Sequence, residues 1–89
     1  MDTKKMLIVD DDMMCRKAIT LFAKKHGIQA DVAGSGKEAI DLVKANPAAH
    51  FLIMIDLYMP DMNGYETVVE LKKVANNQLG KLVVMSGGI

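Results

Sequence analysis

Two short apolar runs, each closing on acid, constrain this chain more than any other feature. Leu7-Ile8-Val9 stops at Asp10-Asp11-Asp12, and Phe51-Leu52-Ile53-Met54-Ile55 stops at Asp56. Short runs rich in β-branched residues and bounded by turn signals read as strands buried on both faces, as in parallel sheets. Open α/β sheets bind their ligands at the carboxyl ends of such strands. Neighbouring strands lie about 5 Å apart, so if these two pair, Asp10, Asp11 and Asp56 crowd into one small pocket. Crowded carboxylates require a cation to offset them or a proton on one of them. Mg²⁺ suits such a set, because it takes a few carboxylate and carbonyl oxygens, keeps several waters and bridges to phosphate.

The rest of the chain alternates around these runs. A first strand over about Met6–Val9 leads to a helix over about Met13–Lys25, with Asp12 as its N-cap and Cys15, Ala18, Ile19 and Phe22 on one face. Gly27 ends it, behind Lys24, Lys25 and His26. A short strand follows around Gln29–Ala33, with Ala30 and Val32 on one side. Ser35 and Glu38 form an S-x-x-E capping box that opens a second helix through about Ala45, closed by Asn46-Pro47. The central strand is Phe51–Asp56, and a loop from Leu57 to Gly64 leads to a third helix over about Tyr65–Val74. Lys81–Ser86 is the last strand. This βαβαβαβ order predicts a doubly wound parallel sheet with helices on both faces. In the flavodoxin-like strand order 2-1-3-4, the first and third strands are neighbours and the acidic pocket forms.

Composition narrows the function classes. At 89 residues the chain is read as a single domain spanning 1–89. Lys and Arg number 11, as do Asp and Glu, with no basic run, so neither nucleic acid nor a membrane surface has electrostatic support. No stretch is long enough to span a bilayer or serve as a signal segment. Cys15 is the only cysteine, which excludes an internal disulfide and predicts a cytoplasmic setting. It reads as a helix-face residue rather than a reactive thiol. The eight methionines read as adaptable core filler, Met13 and Met14 as rimming the pocket, and His26 and His50 as surface residues.

These motifs resemble the receiver domain of two-component response regulators, the CheY-like fold. Ile8-Val9-Asp10-Asp11-Asp12 resembles the family's first-strand acidic motif. The segment from Ile55 through Asp56, Tyr58, Met59, Pro60 and Gly64 is similar to its phosphoacceptor motif, D-x-x-M-P-x-x-x-G. Val83-Val84-Met85-Ser86-Gly87 is similar to its fourth strand, which ends in Thr or Ser. The resemblance implies that Asp56 is the phosphoacceptor, served by a histidine kinase, a phosphotransfer protein or a small phosphodonor. It implies that Asp11 holds Mg²⁺ (or Mn²⁺) directly and Asp10 holds it through water, with Asp56 and the backbone carbonyl of Tyr58 as further ligands. It also implies that Ser86 hydrogen-bonds a phosphoryl oxygen. Asp12 remains a helix cap, and Pro60 and Gly64 remain loop geometry.

The family normally continues through a fourth helix, a fifth strand carrying a Lys, and a fifth helix. This chain therefore resembles a receiver truncated after the fourth strand. The fourth strand is then expected to be an exposed apolar edge, suited to a homodimer or a partner protein, unless the sequence is a fragment. Two functions compete: a phosphoacceptor signalling module, and an interaction scaffold that uses this edge without phosphorylation. A third, a haloacid-dehalogenase-type phosphatase suggested by D-x-D after a strand, lacks the Thr or Val that Met14 replaces. No turnover of an external substrate is expected.

Overall fold

The structure is a computed structural model that describes residues 5–56, 64–75 and 80–85. Its elements run β1 (Lys5–Val9), α1 (Met13–Lys25), β2 (Ala30–Ala33), α2 (Gly36–Ala45), β3 (His50–Asp56), α3 (Gly64–Ala75) and β4 (Lys81–Met85). The strands form one parallel sheet in the order β2-β1-β3-β4, the flavodoxin-like order expected from the alternation.

β1 is the most buried strand because it lies inside the sheet with helices on both faces. Leu7, Ile8 and Val9 have no exposed surface, and each such side chain contributes about 1.5–3 kcal/mol relative to exposure. The strand's alternation divides the interior into two cores. Leu7 and Val9 face α2 and α3, packing with Val43, Ile53, Ile55 and Leu71. Met6 and Ile8 face α1, packing with Ala23 and the half-buried Ile19, Leu52 and Met54.

Local signals set the helix ends. Asp12 Oδ1 accepts the Met14 N–H at 2.9 Å, capping α1. At its other end the Ile28 N–H bonds the Ala23 carbonyl and the Gly27 N–H bonds that of Lys24. This paired closure places Gly27 at φ 74°, where a side chain is strained. Ser35 Oγ accepts the Glu38 N–H at 3.2 Å and opens α2.

Three sequence expectations are corrected. Phe22 is 66% exposed, because the buried stripe of α1 runs through Cys15, Ile19 and Ala23 and leaves Ala18 and Phe22 on its flank. Among the methionines whose side chains are described, Met6 is buried and Met54 packs against the same core, while Met13 and Met14 are 55% and 70% exposed, so core filler describes the first two and not the last two. His50 is not a surface residue. It is 4% exposed, with Nε2 2.8 Å from Asp31 Oδ2, a carboxylate that also meets Lys5 Nζ at 3.6 Å.

Candidate metal centre and phosphoacceptor pocket

The pairing of β1 with β3 sets Val9 opposite Ile55, so Asp10 and Asp56 leave the sheet side by side at its carboxyl edge. The Asp10 N–H still donates to Ala33 of β2 at 3.0 Å, which fixes the first residue of the turn to the sheet. Asp10 is 5% exposed and Asp56 9%, while Asp11 is open to solvent. One carboxylate oxygen from each of Asp10, Asp11 and Asp56 lies within 4.8 Å of the other two. The three acids expected to share a pocket are thus brought together. The backbone carbonyl of Tyr58 and the hydroxyl of Ser86 lie outside the described residues.

The donor set is chemically suited to a hard divalent cation. All three side chains offer oxygen, and Mg²⁺ at about 2.1 Å from each ligand holds them within roughly 4.2 Å of one another. The three oxygens, bounded at 4.8 Å, lie close to that separation, so Asp10, Asp11 and Asp56 are the residues that would hold such an ion.

Two further residues at this site were not anticipated. Cys15 donates its S–H to the Asp10 carboxylate, and its thiol is pushed up to about 11. That hydrogen bond is the largest cause, followed by burial and then by the negative charges of Asp10, Asp12 and Asp56. Arg16 Nη1 donates to the Asp10 backbone carbonyl at 2.8 Å. The Asp12 N–H donates to Asp10 Oδ1 at 2.9 Å, so Asp10 is held through its amide, its carbonyl and its carboxylate. The available signal was helical periodicity. Cys15 and Arg16 lie three and four residues after the Asp12 cap, on the part of α1 that overhangs the turn.

Comparison with known proteins places this geometry. The sequence profile of the response regulator receiver domain matches residues 6–88. A CpxR homolog from Haemophilus influenzae, a transcriptional regulatory protein, is 35% identical over 72 residues, covering 81% of this chain and 30% of that protein. The chain spans between 4% and 35% of the length of the first curated relatives it matches. The receiver domain of the histidine kinase CKI1 from Arabidopsis thaliana, in a crystal structure with Mg²⁺, superposes with a TM-score of 0.86 at 31% identity. That match covers 97% of this chain and 69% of the other. The Vibrio cholerae chemotaxis protein CheY4 shares the fold, with a TM-score of 0.82 at 24% identity over 92% of this chain and 67% of that one.

Proposed function

Because the chain belongs to the response regulator receiver domain family, we propose that it is a phosphoacceptor signalling module, with Asp56 taking a phosphoryl group in a Mg²⁺-dependent reaction. The donor is the phosphohistidine of a histidine kinase or phosphotransfer protein. The observation that carries this function is the convergence of Asp10, Asp11 and Asp56 at the carboxyl end of two adjacent strands.

An oxygen of the Asp56 carboxylate attacks phosphorus in line with the departing imidazole nitrogen. The new O–P bond forms as the N–P bond breaks, and the electron pair stays on the imidazole. Asp10, Asp11, Asp56 and the Tyr58 carbonyl would hold Mg²⁺, which would supply neutralisation of the charge that builds on the transferring group. Asp56 closes β3, where it pairs with Met85 of β4 just after Ile55 pairs with Val9 of β1, so the nucleophile is presented without a large ordering cost. The Ser86 hydroxyl donates to a phosphoryl oxygen once Asp56 is modified. Mn²⁺, another divalent cation that accepts oxygen ligands, substitutes for Mg²⁺. Beyond this transfer onto its own side chain the protein turns over no substrate. A cytoplasmic setting belongs to the same proposal, since it is where a single unpaired cysteine stays reduced. No helix among the described residues is long and apolar enough to cross a membrane.

A partner reads the modified state, and β4 is the surface assigned to it or to a second copy. β4 is an edge of the described sheet, and Val83 and Val84 are 39% and 46% exposed. A scaffold that used this edge without phosphorylation would have no need of three crowded carboxylates, which makes it the weaker alternative.

The test is intact mass under non-denaturing conditions after incubation with Mg²⁺ and a small acyl-phosphate donor, beside Asp56→Asn. One added phosphoryl group in the wild type alone is expected. An unmodified wild type, or an equally modified Asp56→Asn, would refute the phosphoacceptor role. The same spectrum reads the oligomeric state.

A further inference from the structure

The sheet ladder runs out at Val9 on both sides of β1, yet the next residue, Asp10, is still 5% exposed. A carbonyl in that position needs a donor. Arg16 reaches back from the second turn of α1 to provide it, at 2.8 Å. The guanidinium is also set against the β2–α2 turn. A Cβ built on Gly34 would stand 3.3 Å from Arg16 Nη1 and 3.8 Å from its Cζ, so glycine leaves the room that the guanidinium occupies. Gly34 lies between Ala33, which accepts the Asp10 N–H, and Ser35, the cap of α2. One side chain thus links the turn that carries Asp10 and Asp11 to the neighbouring turn. Among the described residues, no ion pair joins Arg16 to Asp10 or Asp11. A cation beside an acidic cluster would ordinarily pair with a carboxylate, and here it is directed to a carbonyl instead.

We propose that Arg16 is a positioning residue for the cation site: by tying the Asp10 carbonyl to the Gly34 turn, it holds the Asp10 and Asp11 carboxylates at the separation a divalent metal requires. The proposal rests on the metal-dependent function above and deepens it. Its sign distinguishes it from a plain charge effect. As a positive charge alone, Arg16 repels Mg²⁺, and removing it tightens binding. As a support for the ligands, its removal weakens binding, and losses of residues that orient metal ligands weaken affinity by about 10–100-fold.

The experiment titrates MgCl₂ into the metal-free protein and follows backbone amide NMR shifts. Wild type is compared with Arg16→Ala, Arg16→Lys, Gly34→Ala, Lys17→Ala and Asp11→Asn, and the metal-free melting temperature is recorded for each. Arg16→Ala is expected to weaken Mg²⁺ binding by about 10-fold or more. Arg16→Lys restores most of the affinity, because a single donor at 2.8 Å is to be replaced. Gly34→Ala, whose Cβ would press on the guanidinium at 3.3 Å and shift it by a few tenths of an ångström without altering charge, weakens binding in the same direction and to a smaller extent. Lys17→Ala removes an equal charge one residue away and does not weaken it. If Arg16→Ala does not fold, Arg16→Lys and Gly34→Ala decide the matter. Unchanged or tighter binding in Arg16→Ala, or in Gly34→Ala where the former is unfolded, overturns the positioning role alone. No Mg²⁺ binding by the wild type, or undiminished binding by Asp11→Asn, overturns the cation site itself and the inference with it.

Discussion

Asp31 and His50 show how a long-range pair escapes sequence reasoning. Nineteen residues separate them, and neither has a neighbour in sequence that marks it as buried. The sheet brings them together across β1, where Lys5 pairs with His50 in register and also contacts Asp31. His50 Nδ1 is buried without a hydrogen-bond partner, so Nε2 depends on Asp31. Asp31→Ala leaves a buried imidazole with no side-chain partner and is expected to destabilise by about 1–3 kcal/mol, read as a lower urea midpoint with unchanged slope. Cys15 gives a second outcome at this scale. Its thiol is held near 11, above the ordinary value of 9.0, so the folded state binds the proton more tightly than the unfolded chain. The stability it contributes is complete below pH 9 and is lost as pH rises through 11. Cys15→Ser should fall in stability less steeply than wild type over that window. Parallel curves would remove the thiol from the pH dependence.

At the scale of elements, most of the architecture was legible because its signals are local. The acidic stops after Val9 and Ile55 set two strand ends, Asp12 and Ser35 set two helix starts, and Gly27 set a helix stop. Each depends on chemistry within four residues of itself. Ser35→Ala should cost α2 about 1 kcal/mol, measurable as a lower denaturant midpoint. The rotation of α1 was misread for the opposite reason. Phe22 matches the helical period, but the stripe that meets the sheet is fixed by where β1 and β3 lie beneath it, and Cys15, Ile19 and Ala23 win. Gly80 belongs to the same class of hidden constraint. Before β4 it runs so close to β3 that a Cβ would collide with the His50 carbonyl and lie 2.7 Å from Phe51 backbone atoms. Backbone cannot yield as a side chain can, so Gly80→Ala should destabilise by about 1–3 kcal/mol. An unchanged urea midpoint would show that β4 can move aside without loss.

For the whole molecule, the carboxylate geometry was legible because strand order and strand ends together fix it, whereas the arginine and thiol that hold Asp10 required the docked position of α1. The site joins the two central strands, β1 and β3, at the end where their hydrogen bonding stops. Metal binding therefore acts on the fold as a unit. In the metal-free protein the acids of this cluster repel one another, and the opposing charge of a divalent cation removes that cost. A ligand that binds the folded state at 100 times its dissociation constant adds about 2.7 kcal/mol of stability. For a chain of 89 residues this corresponds to a melting temperature roughly 10–20 °C higher. Asp11→Asn should act in both directions at once. Its neutral amide relieves repulsion and raises the metal-free melting temperature slightly, while removing most of the increment that Mg²⁺ provides. Asp11 is exposed and takes no part in either core, so a repacking effect does not obscure the comparison. Thermal melts of both proteins across a MgCl₂ series should converge or cross as the metal is added. Curves that stay parallel would mean that Asp11 does not hold the ion, and that the stabilising cation, if one binds, sits elsewhere on the molecule.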